Sequence, residues 1–147
     1  MGESTSLQMY IDGQYCDATD GRRLPTVDPA TGEVWATFPA ATAADVDRAV
    51  TAAHRAMYDG PWSRTTATQR GKALMRMAES LARRAEQIAQ VETVDTGKLL
   101  RETRATTAYI AEYYAYFAGA ADKLHGSTFS TDKPDLMAMT MREPIGV

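Results

Sequence analysis

At Thr42 the hydrophobic pattern of this 147-residue chain changes from strand-like to helical, and just past Gly126 it changes back. No single regular architecture satisfies both halves of such a pattern, so the chain must combine small sheets with a block of helices. Before Thr42, turn signals interrupt every apolar run. Met9, Tyr10 and Ile11 meet Gln14 and Tyr15 across Asp12-Gly13, a pair suited to the positive φ angles of a type I′ hairpin. Asp28-Pro29-Ala30-Thr31-Gly32 between Val27 and Val34 predicts a second turn flanked by strands. Short hairpins are therefore expected over residues 7–40.

Helices are expected over 42–125. Thr42 with Asp45 forms a capping arrangement, and Val46, Ala49, Val50, Ala53 and Met57 share one helical face until Asp59-Gly60-Pro61 ends the pattern. Thr66 and Gln69 make a second capping box. It opens a continuous stretch whose Leu74, Ala78, Leu81, Ala85 and Ile88 face one way, running to Val94 with Gly97 as its stop. Lys72, Arg76 and Arg83 occupy the opposite, solvated side. From Leu99 to Leu124, Tyr109, Ile110, Tyr113, Tyr114, Tyr116 and Phe117 cover an arc wide enough for contact with two neighbours. Beyond Gly126, strand-like alternation from Ser127 to Met141 encloses Asp132-Lys133-Pro134-Asp135, the loop of a closing hairpin, and Asp135 to Val147 reads as a strand still in progress. The expected class is α/β, predominantly helical by residue count, and a chain of this length is not too small for a core of its own.

Composition excludes more than it assigns. A net charge of -3 offers no basic field for nucleic acid or an anionic membrane. One cysteine, Cys16, precludes an internal disulfide, and neither histidine lies in a zinc-binding pattern. No basic leader or membrane-length apolar run is present, so the expected location is cytoplasmic. Met1 to Ser6 fits the myristoylation pattern, but a single acyl chain without a polybasic companion anchors weakly. Gly97-Lys98 and Gly71-Lys72 lack the earlier glycine of a phosphate loop, and neither the dinucleotide fingerprint nor a nucleophile elbow occurs. Cys16 reads as a structural thiol, His54 as a packing histidine and His125 as a cation near a helix C-terminus. Motif logic finds no self-sufficient active site.

Six ordered segments nevertheless carry a resemblance. Met9 to Gly13, Val27 to Glu33, Gly60-Pro61-Trp62, Glu92 to Lys98, Tyr116 to Gly126 and Arg142 to Val147 are similar, in that order, to the amino-terminal part of NAD(P)-dependent aldehyde dehydrogenases. The resemblance implies that residues 1–126 are the start of the NAD(P)-binding domain, that 127–143 are an oligomerisation-type hairpin, and that 144–147 begin a truncated continuation. It implies oxidation of an aldehyde to a carboxylic acid by a thiolate, an oxyanion-stabilising amide set, NAD or NADP as hydride acceptor and a glutamate-activated water. No catalytic or cofactor-binding role falls on these residues, and Cys16 does not match the nucleophile. The isolated chain is therefore expected to be inactive.

Two smaller sites follow from the same resemblance. Thr26 and Val27, through backbone carbonyls, and Asp95, through its carboxylate, match positions that help hold a sodium or potassium ion; Asp95 also fits a plain last-turn residue. Tyr109 matches the mouth of the substrate tunnel, with Tyr113 one turn onward, although an aromatic stripe also reads as core. The closing hairpin resembles a subunit-pairing arm and implies a homo-oligomer. Met137, Met139 and Met141 share its one side, and burying each is worth about 1.5 to 3 kcal/mol. Such an edge favours another chain. The other reading of the whole is a non-catalytic oligomerisation or interaction module.

Overall fold

The computed structural model describes residues 5–147, so the first four positions of the myristoylation pattern lie outside the described residues. The expected order is present: short strands, four α-helices, then a small closing hairpin.

β2 (Met9–Ile11) and β3 (Gln14–Cys16) pair antiparallel around Asp12 and Gly13, whose φ angles of 55° and 81° are those the turn demands. β4 (Arg23–Val27) pairs antiparallel with β5 (Val34–Pro39). Pro25 is accommodated because β4 is an edge strand. β1 (Thr5–Ser6) adds in parallel on the other side of β5, a pairing with no local turn to announce it. The Arg23 guanidinium ties these strands together by donating to the carbonyls of Leu7 and Thr37 at 2.6 and 3.0 Å.

α1 (Ala43–Tyr58) starts at the expected capping box and stops at Asp59, after which Pro61–Arg64 form a short 3₁₀ turn. Asp45 does more than cap. Buried at 1% exposure, it accepts hydrogen bonds from the Thr42 amide at 2.9 Å and the Thr19 hydroxyl at 2.5 Å, holding the segment after β3 onto the helix. The apolar face of α1 is otherwise not a core face: Val46, Val50 and Ala53 are exposed, and the β2–β3 hairpin lies along Ala52 and Ala56. His54 is a correction too, since it is exposed and stacks on Tyr58 with ring centres 4.5 Å apart.

The single long helix expected from Thr66 to Val94 is two helices, α2 (Ala67–Arg83) and α3 (Ala85–Thr96). The break is at Arg84, whose ψ of 8° leaves the helical region. Leu81, Ala85 and Ile88 keep helical spacing across it, which conceals the break from any periodicity argument.

α4 (Leu100–Ala120) packs on both α2 and α3, so it has the two neighbours expected of it. The contact face is a different one. Thr103, Thr107 and Ala111 are buried, whereas Tyr109, Tyr113, Tyr116 and Phe117 face outward. Small residues let the backbones approach closely, and Gly71 of α2 sits directly against Ala118 of α4. The Thr107 hydroxyl is satisfied by donating to the Thr103 carbonyl at 2.6 Å, and the Thr93 and Thr103 hydroxyls bond at 2.8 Å. Among the described residues the buried apolar side chains are alanines, with Pro39 at the end of β5. The chain's large hydrophobics are half-buried or exposed, although a chain of this length is not too small for a core of its own.

β6 (Thr128–Phe129) and β7 (Ala138–Met139) form the closing hairpin, but each strand is only two residues long. The extended strand expected from Asp135 to Val147 is otherwise without regular structure: beyond Met139 its pairing with the opposite segment ends at Thr140, whose amide donates to the Ser127 carbonyl at 2.8 Å. His125 lies several residues past the end of α4 and is not at a helix terminus. Among the described residues no helix is long and apolar enough to cross a membrane.

Candidate functional site

Two regions bring expected site residues into defined surroundings. The first is the junction of β4 and α3. A register shift between Thr26 and Val27 interrupts the β4–β5 ladder at the point where the chain leaves for its turn. Asp28 organises that turn: its side chain accepts from the Ala30 amide at 2.8 Å and its amide donates to the Glu33 carbonyl at 2.9 Å. The turn is seated on the end of α3. Gly97, at φ 73°, terminates that helix, and a Cβ there would stand 2.9 Å from Pro29 Cγ.

Within this junction the Thr26 hydroxyl donates to Asp95 Oδ1 at 2.6 Å. Thr26 and Asp95 are thus brought together, with Val27 adjacent on the strand. The second Asp95 oxygen, the Thr26 hydroxyl oxygen and the backbone carbonyls are hard oxygen donors carrying a single negative charge. That donor set fits a monovalent cation and lacks the nitrogen and sulfur donors of a zinc site. Among the described residues no group of three histidine, cysteine, aspartate or glutamate side chains converges on a common point.

The second region is the outward face of α4. Tyr109 and Tyr113 are 60% and 51% exposed, so neither is buried among the described residues. Their ring centres lie 5.6 Å apart, Phe117 continues the row at 5.2 Å from Tyr113, and Tyr116 meets Phe117 edge-on at 5.3 Å. With Glu112 these rings line a groove of about 560 Å³, in the size range of small-molecule sites. Sequence reasoning missed Glu112. The signal was its place three residues after Tyr109 and four before Tyr116, which puts it on the same stripe.

The remaining candidates stay apart. Cys16 is half-buried at the end of β3, with Arg48 Nη2 3.5 Å from its sulfur, and does not line the groove on α4. Four carboxyls have depressed pKa values; those of Asp20 and Asp122 are lowered by hydrogen bonds to Arg22 and Lys123, and the other two join separate elements. The Thr19 hydroxyl, followed by the Thr42 amide, holds that of Asp45 far below the usual range; the Arg104 guanidinium, followed by Gln90, holds Glu86 down at about 2. Both groups join elements of the scaffold rather than face a groove.

Residues 15–147 match the sequence model of the aldehyde dehydrogenase family. The chain is 49% identical over 141 residues to a (Z)-2-((N-methylformamido)methylene)-5-hydroxybutyrolactone dehydrogenase of Acinetobacter baylyi, covering 96% of this chain and 28% of that protein. It is 41% identical to aldehyde dehydrogenase 1 of Tanacetum cinerariifolium, covering 95% and 28% of the two chains. Among solved structures, an NAD-dependent aldehyde dehydrogenase from Sinorhizobium meliloti superposes with a TM-score of 0.87 at 33% identity over 93% of this chain and 28% of that one. A betaine aldehyde dehydrogenase from Staphylococcus aureus gives 0.84 at 36% identity, covering 90% and 27%. The chain therefore spans little more than a quarter of the length of these relatives.

Proposed function

This chain belongs to the aldehyde dehydrogenase family and corresponds to its amino-terminal segment, and from that premise we propose that it acts as part of a longer NAD(P)-dependent enzyme that oxidises an aldehyde to a carboxylic acid. By itself it turns nothing over. In this reading residues 1–126 contribute to the cofactor domain, 127–143 pair subunits, and the thiolate, the water-activating glutamate and the cofactor contacts lie on residues other than these. The cofactor supplies hydride acceptance when bound. The present residues shape and hold the surroundings of that chemistry.

The observation that carries the proposal is the close match of the fold to just over a quarter of an NAD-dependent relative, combined with a core in which no large hydrophobic side chain is fully buried. A domain that stood alone would cover the ring faces of α4 and the methionines of the closing hairpin. Thr26, Val27 and Asp95 hold a sodium or potassium ion that fastens β4 to the end of α3. Tyr109 and Tyr113 line the approach of the aldehyde.

Two preparations test this. The 147-residue chain, incubated with NAD+ or NADP+ and a panel of aldehydes, is expected to form no reduced nicotinamide. A chimera in which this chain replaces the matching segment of the Acinetobacter baylyi dehydrogenase is expected to oxidise that enzyme's substrate. Turnover by the isolated chain, or a folded but inactive chimera, overturns the proposal.

A second reading, a non-catalytic association module, is favoured by one observation. Met137, Met139 and Met141 are 74%, 56% and 73% exposed on the closing hairpin, an apolar edge suited to a second copy of the chain. A folded chimera without activity, together with stable self-association of the isolated chain, would select it.

A further inference from the structure

The cations of this chain divide into two populations. Seven of them, Arg23, Arg55 and Arg104 included, sit in ion pairs with aspartate or glutamate. Residues 64–84 hold six more of the sixteen lysines and arginines but only one of the nineteen acids, Glu79. Among the described residues none of those six joins an ion pair, and all are exposed on α2 and its flanks. Lys72, Arg76 and Arg83, at positions i, i+4 and i+11, fall within about 40° of one another around the helix and span about 16 Å along it.

The electrostatics of the helix itself do not account for this stripe. α2 has no acid in its first turn, where the dipole favours one, and Arg70 stands there instead. Lys72 and Arg76 repel each other at a spacing where an acid would have paired. Arg70 is engaged locally, donating to the Thr65 carbonyl at 2.7 Å, and Arg83 gains from the C-terminal end of the dipole. Neither device serves Lys72 or Arg76. An apolar cover would strand these charges, so the face is matched by carboxylates. Nucleic acid or an anionic membrane would extend beyond one helix face and also meet the rest of the chain, in which acids outnumber cations. A short acidic segment meets the stripe alone, because charges more than about 8 Å away are screened at physiological salt.

We propose that the Lys72, Arg76 and Arg83 face of α2 docks an acidic segment of a separate protein.

The test is fluorescence anisotropy of a fluorescein-labelled peptide of alternating glutamate and serine, titrated with the 147-residue chain at about 0.15 M salt. The reference is the same peptide with glutamine in place of glutamate. The acidic peptide is expected to bind at least about threefold more tightly, the lower end of what three exposed ion pairs supply. Arg76→Glu is expected to lose that advantage and Glu79→Gln to increase it. Arg101→Glu, the same change of charge at an exposed cation of α4, is expected to leave it intact. Circular dichroism confirms that each variant is folded, and Lys72→Gln with Arg83→Gln replaces Arg76→Glu if that one is not. The chimera built on the Acinetobacter baylyi dehydrogenase is expected to bind the acidic peptide as the isolated chain does. Equal binding of the two peptides, equal losses in Arg76→Glu and Arg101→Glu, tighter binding of duplex DNA or phosphatidylserine vesicles, or a chimera that excludes the peptide overturns the inference.

Discussion

Gly71 of α2 lies so close to Ala118 of α4 that a Cβ added to it would stand 2.6 Å from the Ala118 carbonyl oxygen. The neighbour is backbone and cannot swing away. Replacing a helical glycine by alanine usually stabilises by about 0.5 to 1 kcal/mol, whereas overpacking costs about 1 to 3. Gly71→Ala is therefore expected to lower the unfolding free energy by about 1 to 2 kcal/mol in a urea titration. Gly119→Ala, with nothing within 4 Å of the added carbon, is expected to raise it by about 0.5 to 1 kcal/mol. Equal effects at both positions would refute the close approach of α2 and α4.

Asp45 is a buried carboxylate whose native pKa is depressed by the Thr19 and Thr42 hydrogen bonds. A depressed native value means that the group adds stability above the unfolded carboxyl pKa of about 4, and that this contribution drains away as pH falls through the native value. The stability difference between wild type and Asp45→Asn is thus expected to be constant from about pH 7 to 5 and to shrink below about pH 4. A difference that does not change down to about pH 3 would contradict this assignment.

Glu86 of α3 and Arg104 of α4 make a two-pronged ion pair, Arg104 Nε and Nη2 donating at 2.8 and 2.6 Å. Arg104→Ala is expected to let the Glu86 carboxyl rise from about 2 towards its ordinary value, measured as an NMR pH titration of its side-chain carbonyl carbon. Gln90, which also donates to Glu86, should keep the recovery incomplete.

The Thr26–Asp95 junction gives a salt-specific expectation. At equal ionic strength, sodium or potassium chloride is expected to stabilise the chain over lithium chloride, by about 0.4 kcal/mol when the ion concentration equals its dissociation constant. Asp95→Asn should abolish the difference. If the mutant keeps the same preference among the three salts, the ion is held elsewhere.

The methionine edge predicts self-association. Sedimentation of the isolated chain at micromolar concentration is expected to show a dimer or larger species. Met139→Lys should weaken association about tenfold or more, the equivalent of losing one buried methionine. A wild-type monomer at that concentration would remove the basis for an association face on the hairpin.

Much of this architecture was legible locally. Asp12-Gly13 set a hairpin, and the Thr42–Asp45 and Thr66–Gln69 pairs set two helix starts, because each of these devices is complete within four residues. The candidate cation site was legible only through the resemblance. No local rule joins Thr26 to Asp95 across 69 residues. Glu112 escaped notice because a lone acidic residue on a helix is ordinarily just solvated, and its ring neighbours were read as core.

The order of elements, their caps and the family were determined by sequence, since short-range hydrogen bonding and side-chain period act before any distant contact forms. Which face of each helix is covered was decided only in three dimensions. Apolar character made the aromatic stripe of α4 look like a core. Close backbone approach, available at Gly71, Thr103, Thr107 and Ala111, instead placed the small residues at the contact and left the rings outside.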